Sequence, residues 1–295
     1  MESMEHEPKR DFATEFANYE KKKEQQAQSA EIPGYKTEQD NSAKFDVEPI
    51  GNSWTRKLYD GDFFQMRADS KFPALNTVFV QTRDLNTGAD NPGDLGGGET
   101  DKHLIYEGLS RVAADAVMAG ANTIRGSGVV LSVWHPELVA LRRELGLPRH
   151  PAQIVVTESG RVDMDSELMF NIPQVPVYVL TSSRGAEVLK PYVESRPWVR
   201  VYSDETVDMS KLLAQLSAEQ KISRISVIGG RTLTSSLIDG GLVKDLYLTT
   251  SAINGGEPHT PFYIGQKILR MDRVLRKTGL GKEEGVVFEH LSLVP

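Results

Sequence analysis

Four short segments combine glycine or hydroxyl residues with an arginine, and each directly follows a short apolar run. They are residues 120–125 (GANTIR), 157–161 (TESGR), 181–184 (TSSR) and 229–232 (GGRT). Glycine lets a backbone amide approach a phosphate without a clash from Cβ. A helix start offers unpaired N–H groups, and a guanidinium group matches a phosphate in charge and shape. The four segments together predict a site for an extended phosphorylated ligand.

Each segment alone is also typical of ordinary structure. A glycine pair before a helix is often only a tight turn, and Ser or Thr at a helix start is usually an N-cap. The prediction therefore depends on all four segments meeting at one place.

The sequence lacks the residues or motifs that several other common kinds of active site require. The chain has no cysteine, which excludes disulfides, thiolate zinc sites and iron–sulfur clusters. The sequence contains neither a G-x-x-x-x-G-K-[ST] phosphate loop nor a G-x-S-x-G nucleophile turn. The six histidines are scattered without the spacing of a zinc site, so we expect no metal.

The elements that must position these segments are short buried strands. Continuous apolar runs occur at residues 77–81, 116–119, 153–156, 177–180, 199–202 and 225–228, as in strands covered on both faces. Helical patterns lie between them, one starting after Pro136 and one after Asp208. Such alternation predicts an α/β fold with a mostly parallel central sheet flanked by helices on both faces. Because ligands bind at the carboxyl ends of such strands, the four segments should share one edge.

The last part of the chain follows a different pattern. Residues 244–253, 267–276 and 286–293 read as strands without a helix between them. They predict antiparallel strands at the C-terminal end of the sheet.

Three regions are predicted along the chain. Residues 1–50 carry twelve acidic and seven basic side chains and are expected to form a polar N-terminal arm, partly disordered and mostly extended, with one short helix around Phe12, Phe16 and Tyr19. Residues 51–73 form a connecting segment, and residues 74–295 form the ligand-binding domain.

Charge and hydropathy indicate which partners and which cellular location to expect. A net charge of -7 over 295 residues and a pI near 5.5 argue against a dedicated nucleic-acid binder. No apolar run approaches the roughly 18 residues of a membrane span, and the charged start does not resemble a secretory signal. We therefore expect a cytoplasmic protein.

Four segments resemble one enzyme family. Residues 115–125 (DAVMAGANTIR) are similar to the D-A-V-x-x-G-x-x-T-[VI]-R signature of the reductase domain of riboflavin biosynthesis, which has the dihydrofolate-reductase-like fold. Residues 227–233 (VIGGRTL) and 241–246 (GLVKDL) resemble its V-E-G-G-x-T-L and G-L-V-D-E-L motifs, and Gly255–Gly256 match a later glycine pair. The resemblance covers residues 74–293.

The resemblance implies an NADPH-dependent reductase that opens and reduces the ribose of a ribosylaminopyrimidine 5′-phosphate by direct hydride transfer. The implied cofactor-binding residues, with two hydroxyls from the third segment, are Gly120, Asn122, Thr123, Arg125, Thr157, Ser159, Arg161, Thr181, Ser182, Gly229, Gly230, Arg231, Thr232 and Leu233. Arg125, Arg161 and Arg184 should favour NADPH over NADH. The family also implies a homodimer.

The substrate is expected to meet Thr82, Arg83 and Asp84, which follow the first strand. Asp84 is the candidate catalytic group, able to stabilise an iminium or relay a proton. A solvated turn Asp is the competing interpretation. Arg83 and Lys102 are possible partners of a substrate phosphate.

Two positions depart from the family pattern. Leu85 stands where the family has glycine in S-x-D-G, and Ile228 replaces the Glu before the glycine pair. These changes keep two alternatives open: a dihydrofolate or pterin reductase of the same fold, and a module that binds a nucleotide without catalysis. A scaffold dimer without nucleotide binding is a third. The glycine-rich residues 88–98 are expected to form a mobile lid.

Overall fold

The computed structural model describes residues 10–68, 72–126 and 128–294. Its twelve strands are β1 Tyr35–Asp40, β2 Val47–Ile50, β3 Phe63–Met66, β4 Ala74–Gln81, β5 Ala116–Gly120, β6 Ala152–Val156, β7 Val177–Ser182, β8 Val199–Asp204, β9 Arg224–Val227, β10 Val243–Thr250, β11 Arg270–Gly279 and β12 Val287–Val294. Ten of them form one sheet in the order β1-β11-β12-β10-β4-β9-β5-β6-β7-β8, and β2 pairs with β3 separately.

The sheet changes direction once along its width. All pairs from β10 through β4, β9, β5, β6 and β7 to β8 are parallel. The pairs β10–β12, β12–β11 and β11–β1 are antiparallel. The predicted mixed sheet, with antiparallel strands from the end of the chain, is confirmed.

Helices cover both faces of the sheet. They are α1 Phe12–Gln28, α2 Ser53–Tyr59, α3 Gly98–Thr100, α4 Ala121–Ile124, α5 Pro136–Glu144, α6 Ser183–Val193, α7 Met209–Gln220 and α8 Arg231–Asp239. Helix α3 runs directly into a π-helix, Asp101–Leu109. Short 3₁₀ turns occupy Ser42–Lys44, Pro92–Leu95, Leu168–Asn171 and Gly281–Glu283.

Alternate residues of β5 show how the layers form. Met118 packs into a cluster with the leucines of α7 and α8. Val117 points to the opposite face, into a cluster with Leu104 of the π-helix and Leu138 of α5. This two-sided burial explains why β5 reads as a continuous apolar run.

Helix boundaries follow the local signals in the sequence. Asp208 caps α7 by accepting a hydrogen bond from the Lys211 N–H at 3.1 Å, and Pro136 occupies the first turn of α5. Helix α8 ends at Asp239, directly before Gly240 and Gly241. The predicted helices at Pro136 and after Asp208 are confirmed.

The N-terminal region differs from its prediction as a mostly extended arm. Residues 12–28 form a 17-residue helix that buries Phe16 in the core beneath β5 and β6, and β1 joins the central sheet beside β11. The helix forms because Asp11 caps it and Phe16 gains a buried site against His150. The predicted disorder, where it concerns residues 1–9, lies outside the described residues.

None of the helices in the described part of the chain is long and apolar enough to cross a membrane.

Candidate active site

Five strand ends form one continuous edge. Strands β4, β9, β5, β6 and β7 are neighbours in that order and run parallel, so their carboxyl ends lie side by side. The four predicted ligand segments follow β9, β5, β6 and β7, and the predicted substrate segment follows β4. The sheet therefore brings all five to the same edge, with the β4 and β9 segments adjacent.

The glycine pair after β9 leaves room for a ligand. A Cβ atom placed on Gly230 would meet nothing within 4 Å, and one placed on Gly229 would lie 3.5 Å from the backbone nitrogen of Gly120. Gly230 is the N-cap of α8, and no side chain among the described residues caps that helix. The first amides of α8 are therefore available to an anion such as the pyrophosphate of a dinucleotide. Arg231 and Leu233 at this end are half-buried, and Thr232 is exposed.

The segment after β5 lies beside the glycine pair. Gly120 begins the short helix α4, and Asn122, Thr123 and Arg125 are exposed. Glu167 fixes the far side of this segment by accepting hydrogen bonds from the N–H groups of Gly126 and Gly128, the second at 3.3 Å. The exposed polar side chains thus stand on an anchored turn.

The segments after β6 and β7 interlock. A Cβ on Gly160 would lie 2.3 Å from the carbonyl oxygen of Gly185. The two segments can therefore approach this closely only because residue 160 is glycine. The Ser182 hydroxyl donates to the Glu158 carbonyl at 2.7 Å and accepts from the Gly185 N–H at 3.1 Å. Thr181 is fully buried and donates to the same carbonyl at 3.4 Å. Both hydroxyls hold the β6 segment in place, and their contact with a cofactor stays a prediction.

Three arginines surround this half of the edge. Thr157 is buried, whereas Ser159 is exposed and its hydroxyl accepts from the Arg161 N–H at 3.4 Å. Arg125, Arg161 and Arg184 are exposed, and none of the three forms an ion pair within the described residues. Their charges are available to an anionic ligand.

The substrate segment is a tight turn tied to a neighbouring loop. Thr82 donates to the Gly255 carbonyl at 3.0 Å, and Asp84 Oδ2 accepts from the Gly255 N–H at 2.9 Å. Arg83 is exposed at the same turn. Leu85 closes the turn with φ of +63°, the left-handed conformation that glycine adopts without cost. Asp84 therefore braces the loop, and its catalytic role stays a prediction.

Ile228, which stands before the glycine pair, is a buried core residue. Its side chain is buried in the core cluster that contains Val117 and Leu104. A carboxylate at this position would have to enter that apolar cluster in the described conformation.

The glycine-rich segment is packed rather than loose. Gly88 pairs with Glu257, Leu95 is buried, and a Cβ on Gly97 would lie 3.0 Å from Asp101 Oδ2. The expectation of a mobile lid finds no support in these contacts.

Asp101 is a buried acid at this edge that sequence reasoning missed. It is 8% exposed, and Oδ1 accepts a hydrogen bond from Thr249, which pairs with Val80 of β4. Burial raises the pKa of Asp101 to about 7, although the Thr249 hydrogen bond opposes this rise. The residue sits in a helix rather than after a strand, so only the buried pairing with Thr249 could have revealed it.

No group of three or more His, Asp or Glu side chains within residues 10–68, 72–126 and 128–294 is arranged to hold a metal ion.

Two archaeal proteins resemble much of the chain. Both are named 2,5-diamino-6-ribosylamino-4(3H)-pyrimidinone 5′-phosphate reductase. The Archaeoglobus fulgidus protein is 28% identical over 173 residues, which are 58% of this chain and 78% of that protein. The Methanothermobacter thermautotrophicus protein is 26% identical over 180 residues, 61% of this chain and 78% of that protein.

Solved structures share the fold. A pyrimidine reductase-like protein from Corynebacterium diphtheriae superposes with a TM-score of 0.62 at 18% identity, over 76% of this chain and 92% of that one. The riboflavin biosynthesis reductase Rib7 of Saccharomyces cerevisiae gives a TM-score of 0.52 at 16% identity, over 77% and 92%. The sequence model of the RibD C-terminal domain matches residues 90–280, more than half of the chain. The chain therefore belongs to the RibD C-terminal domain family.

Proposed function

We propose that this protein is a riboflavin-pathway reductase that uses NADPH to reduce the ribosyl group of a ribosylaminopyrimidine 5′-phosphate. The names of the two archaeal relatives support the substrate class. The adjacency of β4 and β9 carries the proposal, because the proposed substrate turn and the glycine pair follow neighbouring parallel strands at one edge of the sheet. Hydride transfer needs little from side chains except this positioning.

The sheet edge that carries Gly120, Gly229 and Gly230 fits a dinucleotide cofactor. Uncapped amides of α8 suit its pyrophosphate, and the open space at Gly120 and Gly230 admits it without a Cβ clash. When bound, the nicotinamide supplies a hydride to the first carbon of the sugar. The exposed Arg125, Arg161 and Arg184 favour the 2′-phosphate of NADPH over the hydroxyl of NADH.

Asp84 is the proposed catalytic group. One of its carboxylate oxygens is held by the Gly255 N–H, which fixes the direction of the other. An oriented carboxylate stabilises positive charge that develops on the sugar carbon and its attached nitrogen as the ring opens. Arg83 flanks it as an exposed substrate contact. Thr82, the other predicted substrate residue, is fully buried and holds the turn, because its hydroxyl donates to the Gly255 carbonyl and its N–H to the Asn86 carbonyl.

The deciding experiment measures NADPH oxidation by the purified full chain. The protein is offered three substrates in parallel: 2,5-diamino-6-ribosylaminopyrimidinone 5′-phosphate, 5-amino-6-ribosylaminouracil 5′-phosphate and dihydrofolate. We expect turnover with at least one of the two ribosylaminopyrimidines. Asp84→Asn should lower kcat by roughly 10²-fold or more while NADPH binding persists.

Two outcomes would replace the proposal. Turnover of dihydrofolate alone would identify a pterin reductase, the function that the apolar Ile228 before the glycine pair favours. NADPH binding without turnover of any of the three would indicate a binding module.

A further inference from the structure

Leu85 is an exposed apolar side chain at the turn to which the proposed function assigns the substrate. It is 57% exposed, and its φ of +63° is a left-handed conformation that destabilises a leucine. Its N–H donates to the Thr82 carbonyl at 2.9 Å, and the Thr82 N–H donates to the Asn86 carbonyl at 3.0 Å, so the backbone closes the turn. The closed backbone therefore fixes Leu85 in place and leaves most of its side chain in solvent.

The polar side chains of this turn are directed to Gly255. The Gly255 carbonyl accepts hydrogen bonds from the Thr82 hydroxyl at 3.0 Å and from Asn86 Nδ2 at 2.9 Å. The Gly255 N–H donates to Asp84 Oδ2 at 2.9 Å. The side chain of Leu85 takes no part in holding the turn together, so its presence has another reason.

A second exposed apolar side chain lies beside this turn. The Ile253 carbonyl accepts a hydrogen bond from the Arg83 N–H at 2.9 Å, and Ile253 is 45% exposed. Gly96 makes room for it, because a Cβ atom there would lie 3.0 Å from Ile253 Cδ1. Single exposed aliphatic side chains are ordinary, but two at one turn of a predicted ligand edge favour an apolar contact with the ligand.

The connectivity of the proposed substrate limits what can lie against Leu85, and this step rests on the proposed function. In a ribosylaminopyrimidine 5′-phosphate, one nitrogen joins the reacting sugar carbon to the pyrimidine ring, and the phosphate lies at the other end of the sugar. The proposed function places Asp84 beside that carbon and nitrogen. The residue next to Asp84 is therefore near the ring and distant from the phosphate. A planar ring has an apolar face, and covering this face with an aliphatic side chain removes apolar area from water.

We propose that Leu85 packs against the pyrimidine ring of the substrate, beside Ile253, and increases the affinity for it. The S-x-D-G pattern of the family has glycine at this position, which offers no side chain for such a contact. The contact therefore distinguishes this chain from members that keep the glycine. It also explains why a leucine occupies a conformation that glycine adopts with less strain.

The test is calorimetric titration of the full chain with each of the two ribosylaminopyrimidine phosphates. Saturating NADP⁺ is present, and because it carries no hydride, no turnover occurs. Leu85→Asn and Leu85→Gly relieve the left-handed backbone and remove the apolar side chain, whereas Leu85→Met keeps an apolar side chain of similar size. Leu145→Asn is the matched control. Leu145 is 40% exposed and follows α5 near the amino end of β5, where Arg142 donates to the Ala114 carbonyl.

The three Leu85 variants should separate a ligand contact from a backbone role. We expect Leu85→Asn and Leu85→Gly to bind substrate roughly tenfold more weakly than the wild type, and Leu85→Met to bind within about threefold. The control should match the wild type within about twofold. A role in the backbone alone predicts the opposite order, because the asparagine and glycine variants would then bind at least as well as the wild type.

Four results would overturn the proposal. They are wild-type affinity in both Leu85→Asn and Leu85→Gly, absence of substrate binding by the wild type, a loss that falls on NADP⁺ instead of the substrate, and a change of assembly mass by light scattering. The third result would identify the nicotinamide ring as the group against Leu85, and the fourth would identify a second copy of the chain.

The titration also separates this proposal from the proposed function. Substrate binding that weakens in the Leu85 variants, without NADPH oxidation by the wild type, would refute the reductase activity and support the contact. Substrate reduction by the wild type, with unchanged binding in the variants, would support the reductase and refute the contact.

Discussion

Leu85 occupies a backbone conformation that suits glycine. Its φ is +63° at the end of the substrate turn, and its side chain is 57% exposed. The left-handed conformation costs an ordinary residue about 1–2 kcal/mol, whereas the extra chain entropy of glycine costs about 0.5–1 kcal/mol. We expect Leu85→Gly to raise the free energy of unfolding by up to about 1 kcal/mol, measured by urea denaturation.

Leu85→Ala is the control for that change, because it removes the exposed side chain but keeps the strained conformation. The glycine variant should be the more stable of the two. An alanine variant of equal or greater stability would show that the turn carries no strain.

Arg125, Arg161 and Arg184 should set the preference between cofactors. All three are exposed beside the predicted dinucleotide edge, and a guanidinium group pairs with a 2′-phosphate but not with a hydroxyl. Replacing all three with Ala should reduce the ratio of NADPH to NADH affinity by at least about tenfold, measured by fluorescence titration. Arg200→Ala is a control on β8, where Arg200 already donates to Gln220. An unchanged ratio in the triple variant would refute the assignment.

Sequence analysis predicted the site residues that directly follow strands and missed those that do not. Gly120 and Gly229 were predictable because a glycine after a buried run marks a strand end. Asp101 was not, because an acid within a helical stretch is usually solvated. The importance of Asp101 comes from its burial against Thr249, which is 148 residues away in sequence.

Asp115 aligns the two central elements of the site. Its Oδ2 accepts hydrogen bonds from the Ser223 N–H at 2.7 Å, the Ser223 hydroxyl at 2.8 Å and the Arg224 N–H at 3.0 Å. These bonds fix the start of β9 against β5, and the register carries through to Gly229 beside Gly120. The aspartate of the D-A-V motif is thus explained by sheet geometry.

Asp115→Ala should destabilise the protein by roughly 2–3 kcal/mol, since it leaves donors without their charged acceptor. It should also raise the KM for NADPH, because the two glycines shift relative to each other. Asp115→Asn keeps one acceptor oxygen and should recover part of both losses. Denaturation and steady-state kinetics of the two variants measure this, and equal effects of Ala and Asn would contradict the alignment role.

Element prediction succeeded where burial covers both faces of a strand. The parallel strands read as continuous apolar runs because helices cover each side. Helix α1 was predicted only as a short helix in an extended arm, and strand β1 was missed. Helix α1 buries mainly Phe16 and Ala27, and β1 buries mainly Tyr35. One buried contact per two or three turns is too weak a period to distinguish from a solvated arm.

Stability of the whole molecule should depend on pH through Asp101. Its folded pKa is raised by burial to about 7, well above the unfolded value near 3.9. Below pH 4 the Asp101 carboxyl group is protonated in both the folded and the unfolded chain. Between pH 4 and 7 the unfolded chain releases the proton while the folded chain keeps it, so the stability contributed by Asp101 falls and then stays low above pH 7.

Asp101→Asn lacks this titration. Its stability relative to the wild type should therefore rise by a few kcal/mol between pH 4.5 and 8. Burial lowers the pKa of His150 to about 3 and that of His135 to about 4. These histidines lower the free energy of unfolding in acid by the same amount in the wild type and in Asp101→Asn, so their effect cancels in the comparison. Urea denaturation at several pH values measures the difference, and a constant difference would show that Asp101 does not titrate in this range.

An exposed apolar surface at the antiparallel end of the sheet predicts that the chain assembles with a second copy. Apolar side chains are exposed together near the antiparallel end of the sheet, where Met271 pairs with Leu293 and Arg270 with Val294. Ile268 is 93% exposed, and Met271 and Val294 are about two-fifths exposed. Such surface on late strands favours the homodimer that the family resemblance implies, because burying it against a second copy removes apolar area from water.

Light scattering should give twice the 32.7 kDa chain mass for the wild type. The double variant Ile268→Asp with Met271→Asp should give the monomer mass, because two charges would be buried unpaired in the interface. Val188→Asp is the matched control, since Val188 is similarly exposed on α6 and away from this surface. A monomeric wild type would remove the dimer. A double variant that stays dimeric would show that the interface lies elsewhere. The next surfaces to test are the two edge strands of the sheet, β1 and β8, because each presents an outer row of backbone groups.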